Sequence, residues 1–267
     1  MLTASIVTYH TSTQELEQCI SSLSSSNLIS RLYVVDNGQE QRIRNFTESI
    51  VSLPVSYIPL PNPGYGSAHN AAIRQAETHG ADFHLALNTD VTFGPDVIPA
   101  LLQYLDSHPE TGMVQPRIVN SNGDLEPTAR LVPTPFDLIL RRFLPKKCFL
   151  NRRKAYLLTH IDHSKPFNAP YLEGSFMLMR MDALKQTGGF DERFFMYPED
   201  IDLTRRMHKN WRTVYCPVAQ ITHIHKRASY ASGKMLVTHC LNMIRYFNKW
   251  GWFFDRERSE FNKPLLP

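Results

Sequence analysis

The 267-residue sequence has only four cysteines, Cys19, Cys148, Cys216 and Cys240, with no CxxC pair and no partner spacing. That argues against a disulfide scaffold or a zinc cluster and for reduced thiols in a cytosolic protein. No apolar run approaches the ~18–20 residues of a membrane span. The opening MLTASIVTYH lacks the basic start and long apolar stretch of a secretory signal. There is no convincing internal repeat and no low-complexity tract. Net charge is only +4, and no nucleic-acid partner is expected. What is present, 42% hydrophobic and 20% charged residues, describes an ordinary globular protein with a real core. The length suits one large α/β domain or two small ones. Charge is unevenly spread. RRFLPKKCFLNRRK, from Arg141 to Lys154, has seven basic residues, among them Arg142, Lys146 and Lys147, and no acid. Such a block is either a solvated face or an attractor for phosphates or an anionic membrane surface.

The first half alternates strands and helices. TASIVTYH (3–10), RLYVVDNG (31–38), VSYIPL (55–60), FHLALNTD (83–90) and GMVQPRIV (112–119) read as strands. The helical stretches include one capped at Ser12 with Glu15 three residues on, one over SAHNAAIRQAETHG, and one over PDVIPALLQYLDSH. This predicts an α/β fold with a mostly parallel central sheet flanked by helices. From Asn120 to about Pro170 strand signals fade, which predicts a long excursion over the sheet. EGSFMLMR (173–180), RTVYCP (212–217) and QITHIH (220–225) read as further strands, followed by a helical, aromatic-rich tail from Lys234.

Ligands of parallel sheets bind beyond the carboxyl ends of the strands. Three such ends are polar: Thr8-Tyr9-His10, Asp36-Asn37-Gly38 and Asn88-Thr89-Asp90. NPGYGSAHN (62–70) runs into a helix N-terminus, which suits an anion. It lacks the third glycine of a dinucleotide fingerprint and follows the third strand, so a nicotinamide site is rejected. In FFMYPEDIDLTRR (194–206), Pro198 is placed to open a helix with Glu199, Asp200 and Asp202 in its first turn. Read alone, that is either a well-capped surface helix, with Asp202 and Arg206 paired at i,i+4, or the position of a working acid.

SIVTYH, VVDNG, NPGYGSAHN, ALNTDV, the run EGSFMLMRMDALKQTGGFDERFFMYPEDIDLTRR and THIHKRAS together resemble an inverting glycosyltransferase of family 2. Such enzymes have the type-A nucleotide-sugar transferase fold, and the closer similarity is to bacterial rhamnosyltransferases that build cell-surface polysaccharides. The segments span residues 5–229. The resemblance implies a single domain over 1–267, with 1–119 as the nucleotide-sugar-binding half and 120–267 as the half holding the acceptor, the catalytic base and the C-terminal helices.

It further implies that Asp200 is the catalytic base and Glu199 its supporting neighbour. Asp36 would accept a hydrogen bond from the nucleobase, with Thr8, Tyr9 and His10 lining the same pocket. Asn62, Gly66 and Asn70 would shape the pyrophosphate edge, or else form a capped turn. The family's DxD motif appears here as Asn88-Thr89-Asp90, a departure that leaves one carboxylate. Asp90 is then the expected ligand of Mg²⁺ or Mn²⁺, with Asn88 on ribose or metal-bound water. His223 completes the metal site, with His225 as its rival. Arg205 would reach the diphosphate. The implied partners are a nucleotide-diphosphate sugar, dTDP-L-rhamnose or alternatively a UDP-hexose or UDP-N-acetylhexosamine, and a lipid-linked or oligosaccharide acceptor. The implied place is the cytoplasmic face of the cell membrane. There Arg141, Arg142, Lys146 and Lys147 would meet an anionic surface, while the tail aromatics either pack as core or face the membrane. A sugar nucleotidyltransferase is the less favoured alternative, because SIVTYHTST lacks the Gly-rich, basic N-terminal loop such an enzyme needs.

Overall fold

The apolar runs of the first half become adjacent parallel strands, as strands covered on both faces require. The computed structural model describes residues 1–138, 149–224 and 233–267, with side chains from residue 237 in the last stretch. Its first half contains β1 (Leu2–Thr8), α1 (Thr13–Ser25), β2 (Ile29–Asp36), α2 (Gln41–Glu48), β3 (Val55–Pro59), α3 (Tyr65–Thr78) and β4 (Phe83–Leu87). These are followed by β5 (Val91–Thr92), α4 (Val97–Ser107) and β6 (Thr111–Val119). The excursion carries short elements: β7 (Ala129–Arg130), α5 (Pro135–Leu138), α6 (Leu150–Tyr156), β8 (Phe167–Asn168) and β9 (Tyr171–Leu172). Then come β10 (Phe176–Arg180), α7 (Met181–Thr187), α8 (Glu199–Met207), β11 (Arg212–His223), α9 (Gly233–Trp250) and α10 (Arg256–Asn262).

Among the described residues the main sheet runs β3-β2-β1-β4-β10-β6-β11-β5, with β8 on β11. β3, β2, β1 and β4 are mutually parallel. β10 lies antiparallel between β4 and β6, with Phe176 opposite Leu87. The chain thus returns from its excursion at the carboxyl edge of β4 and enters the sheet from that side, which fixes the reversed direction. Side chains alternate between two cores. Ile6, Leu32, Val34, Leu85 and Leu87 meet α1, while Tyr33, Val35, Ala86 and Met177 meet the alanine face of α3 (Ala68, Ala72, Ala76). The two strands expected at 212–217 and 220–225 are one strand, β11, with a register shift between Cys216 and Gln220. Pro217 lies there, where a residue without an N–H is tolerated. The capping box at Ser12 is half made: Ser12 Oγ accepts from Glu15 N–H at 3.2 Å, and the Glu15 carboxylate accepts the Thr89 hydroxyl across the sheet edge.

Candidate active site

Parallel alignment of β2, β1 and β4 brings the three polar strand ends to one edge, with Thr8 opposite Asp36. Asp36 is buried. Its Oδ1 accepts from the Thr8 hydroxyl (3.0 Å) and Gly38 N–H (2.9 Å), and its Oδ2 from Glu40 N–H and the Tyr57 hydroxyl, both at 2.7 Å. Four donors fill the lone pairs of a carboxylate. Asp36 therefore ties the strand end to its turn, in place of the free acceptor expected for a nucleobase. Tyr9 and His10 are exposed beside it, and His10 N–H donates to Glu40 Oε1 at 3.0 Å. Asn62 accepts from Asn37 Nδ2 at 3.3 Å and stays at this edge.

The 62–70 segment docks against the stretch before α8. Gly64 has φ +106°, and a Cβ there would lie 2.3 Å from the Phe195 carbonyl, so only glycine allows the approach. A Cβ on Gly66 already abuts the Phe190 side chain at 2.9 Å. Asn70 Nδ2 donates to the Phe190 carbonyl (2.8 Å) and Glu192 Oε1 (3.0 Å), and its Oδ1 accepts Phe190 N–H (2.9 Å). Gly66 and Asn70 are thus committed to the 190–199 segment, which corrects their expected place on the pyrophosphate edge.

What this docking achieves is convergence. The Tyr65 hydroxyl lies 2.8 Å from Asn88 Oδ1 and 3.0 Å from the Gly174 carbonyl, and burial together with Glu199, Asp200 and Asp90 raises its pKa. One tyrosine therefore stands among the three acids singled out in the sequence. Pro198 caps α8 as expected, and Glu199 and Asp200 open it. Asp200 Oδ2 accepts Gly174 N–H (3.0 Å) and the Tyr171 hydroxyl (3.2 Å), and Oδ1 accepts Ile201 N–H (2.8 Å). Burial first and then the nearby Glu173 raise the Asp200 pKa to about 6. Burial and Asp200 raise that of Glu199 to about 8. The helix N-terminus favours the charged form of Asp200, yet desolvation outweighs it and the value rises, leaving the group ionised at neutral pH. At neutral pH the pair is one carboxylate beside one carboxylic acid.

Asp90 and His223 come together from β4's end and β11: Asp90 Oδ1 is 3.1 Å from His223 Nε2, and Glu126 lies 3.5 Å from Nδ1. Burial disfavours the imidazolium, yet Asp90, Glu173 and Glu126 outweigh it and raise the His223 pKa. A carboxylate and an imidazole converging at one point form a donor set that fits a hard divalent cation whose other ligands are phosphate oxygens and water. His225 lies outside the described residues, as do Arg141, Arg142, Lys146 and Lys147. Sequence reasoning missed Tyr65, Tyr171, Glu126, Glu173 and Arg130 at this site. Tyr65 and Glu173 stand inside stretches already singled out, NPGYGSAHN and EGSFMLMR. Glu126 and Arg130 carry no sequence signal.

Arg205 is a correction. It falls about 140° around the helix from Asp200 and is 1% exposed. Its guanidinium donates to Asp255 (2.8 and 2.6 Å) and Glu257 (2.8 Å) and stacks 4.0 Å over Trp250. It anchors the tail instead of a diphosphate, while Arg206 pairs with Asp202 at 2.7 Å as expected. Arg205→Ala strands a buried carboxylate and should cost ~3–5 kcal/mol, roughly 10 °C in Tm, with nucleotide affinity kept. Thermal unfolding and a nucleotide titration check this; a stable protein that no longer binds nucleotide would return Arg205 to the donor site.

This mixed, helix-flanked sheet has the type-A glycosyltransferase fold, as its likeness to the solved glycosyltransferases below shows. The chain belongs to the glycosyltransferase-like family 2, whose model matches residues 2–236. It is 35% identical over 192 residues to N-acetylglucosaminyl-diphospho-decaprenol L-rhamnosyltransferase of Mycobacterium tuberculosis, covering 67% of this chain and 60% of that relative's length. It is 24% identical over 250 residues, 90% of each chain, to rhamnosyltransferase WbbL of Escherichia coli. The fold matches GalNAc-T7, solved with UDP, GalNAc and Mn²⁺, at a TM-score of 0.69 and 12% identity, covering 97% of this chain and 49% of that one. It also matches a Pyrobaculum calidifontis mannosyltransferase, solved with GDP-Man and Mn²⁺, at 0.59 and 17%, covering 91% and 64%.

Proposed function

We propose that the protein is an inverting glycosyltransferase that moves L-rhamnose from dTDP-L-rhamnose to a hydroxyl of a lipid-linked glycan. The observation that carries this reading is the meeting of Asp90, Glu199 and Asp200 around Tyr65, with His223 on Asp90. The rhamnosyltransferase relatives support the sugar and the acceptor class. Residues 1–119 would hold the nucleotide sugar and 120–267 the acceptor. Asp200 takes the proton of the acceptor hydroxyl as its oxygen bonds to the anomeric carbon, and the nucleoside diphosphate leaves with the bonding pair from the opposite face. Glu199, protonated at neutral pH, keeps a second negative charge away from Asp200. Asp90 and His223 would hold Mg²⁺ or Mn²⁺, which neutralises charge developing on the leaving diphosphate. Thr8, Tyr9, His10, Asn62 and Asn88 line the donor edge, and the Asn88 carboxamide is fixed by Tyr65. Thermal stabilisation and turnover across a panel of dTDP-L-rhamnose, UDP-hexoses and UDP-N-acetylhexosamines test the donor. A response to the UDP sugars alone would replace rhamnose.

A lipid-linked acceptor places the enzyme at the cytoplasmic membrane face, and among the described residues no helix is long and apolar enough to cross a membrane. The tail is divided: Tyr246 and Phe247 are core, whereas Phe253 and Phe254 are 80% and 98% exposed, and Val237, Leu241 and Ile244 along one side of α9 are about half exposed. Basic residues near an anionic surface contribute ~1 kcal/mol each, screened by salt. Reversible binding to anionic liposomes is expected to weaken as salt rises and to be lost when Arg141, Arg142, Lys146 and Lys147 are all changed to Glu, with donor hydrolysis kept. Unchanged low-salt binding of that variant in a flotation assay would leave attachment to the exposed tail residues.

A further inference from the structure

We propose that Tyr171, held by Arg130, is a positioning residue that directs Asp200 so that Oδ1 is its basic atom; this rests on Asp200 being the base. The device is the small sheet of β7 and β9, which sets Arg130 directly opposite Tyr171. Arg130 is itself fixed. Its Nε donates to the Pro127 carbonyl at 2.7 Å and its Nη2 pairs with Glu173. Its Nη1 lies 3.3 Å from the Tyr171 oxygen, and an arginine only donates. The tyrosine oxygen is thereby used as an acceptor, and its hydrogen is left to point at Asp200 Oδ2, 3.2 Å away. The ring is 4% exposed and packed among Phe194, Ile201, Tyr246 and Phe247, so it cannot swing off.

Oδ2 then carries two donors, Tyr171 and Gly174 N–H, whereas Oδ1 carries one, Ile201 N–H. The lone pair left on Oδ1 is the one that takes the acceptor's proton. Tyr171 also favours the charged carboxylate, as any hydrogen bond to the ionised form does. The charged and titratable groups facing Asp200 are Glu199 on its own helix, Glu173 before β10, Arg130 on β7, Tyr171 on β9 and Tyr65 on α3. Of these, Arg130 and the Tyr171 hydroxyl support ionisation and Glu173 opposes it, while Glu199, still protonated where Asp200 titrates, adds no charge.

The test reads the Asp200 carboxyl by ¹³C NMR titration of protein labelled at aspartate, its signal being the one missing from Asp200→Asn. Tyr171→Phe keeps the ring and should move the midpoint up by roughly half to one pH unit, with the acid limb of kcat/KM moving alongside. Arg130→Gln should move it up, and Glu173→Gln should move it down; opposite signs from two neighbours are not expected of a merely structural role. A Tyr171→Phe midpoint identical to wild type, with the circular dichroism spectrum unchanged, would overturn the proposal even if Arg130→Gln fails to fold. Full transfer activity in Asp200→Asn would overturn the base assignment and the proposal with it, an outcome separable from a lost tyrosine contact.

Discussion

Asp200→Asn is expected to lower kcat about 10²–10⁴-fold while nucleotide affinity and fold stay near wild type. The amide keeps the shape of the carboxylate but only one acceptor oxygen, which can stay on the Gly174 N–H and the Tyr171 hydroxyl; what is lost is the acceptor beside the Ile201 N–H and with it the lone pair that receives the proton. Steady-state transfer, with calorimetry for the nucleotide, separates the two effects. Near-normal transfer would remove Asp200 from the reaction. The pH profile gives the same residue a second test. A carboxylate works as a base only when ionised, and burial and Glu173 have raised its pKa from 3.8 to about 6. Activity should therefore fall as pH drops through about 6, not near 4. An acid limb near pH 4 would show that the carboxylate is solvated in the working enzyme.

Asp90→Ala should cost at least about 100-fold in Mg²⁺- or Mn²⁺-dependent nucleotide affinity, since changes even to second-shell partners cost 10–100-fold. Asn88 and Thr89 supply no charge, and the Asn88 Oδ1 is already taken by Tyr65. His223 meets the same point as Asp90, so His223→Ala should weaken metal binding in the same direction. Nucleotide titration with and without EDTA reads both. Full wild-type activity in chelator would mean that side-chain cations, not a metal, neutralise the leaving group.

The sequence revealed the sheet edge well because the information there is local. A buried strand writes itself as a continuous apolar run, and its polar end marks the point where it leaves the core. Thr8, Asp36 and Asp90 were readable in this way, as were Pro198, Glu199 and Asp200 at a helix start. What the sequence hid depends on distant partners. Arg205 looked available because Asp255 is fifty positions away, and nothing in the LTRR stretch indicates which side of α8 the tail will cover. Asp36 looked like a free acceptor because two of its donors are backbone N–H groups, which no residue type announces. Arg130 and Tyr171 sit in strands two residues long, too short for any periodicity. They matter only because those strands pair.

The Arg205–Asp255–Glu257 cluster also bears on how the molecule is made. Chains emerge from the ribosome N-terminal end first, so α8, with the base at its start, is synthesised well before the carboxylates that neutralise its buried arginine. Until Asp255 and Glu257 appear, Arg205 lacks the carboxylates that pair with it, and the seat of α8 on the sheet is incomplete. A chain broken off before this point would keep most of the nucleotide edge yet hold its base loosely. Assembly of the working site is thereby linked to a segment made after the rest of the fold, and a deletion of Asp255 to Glu257 would disturb catalysis long before it disturbed the sheet.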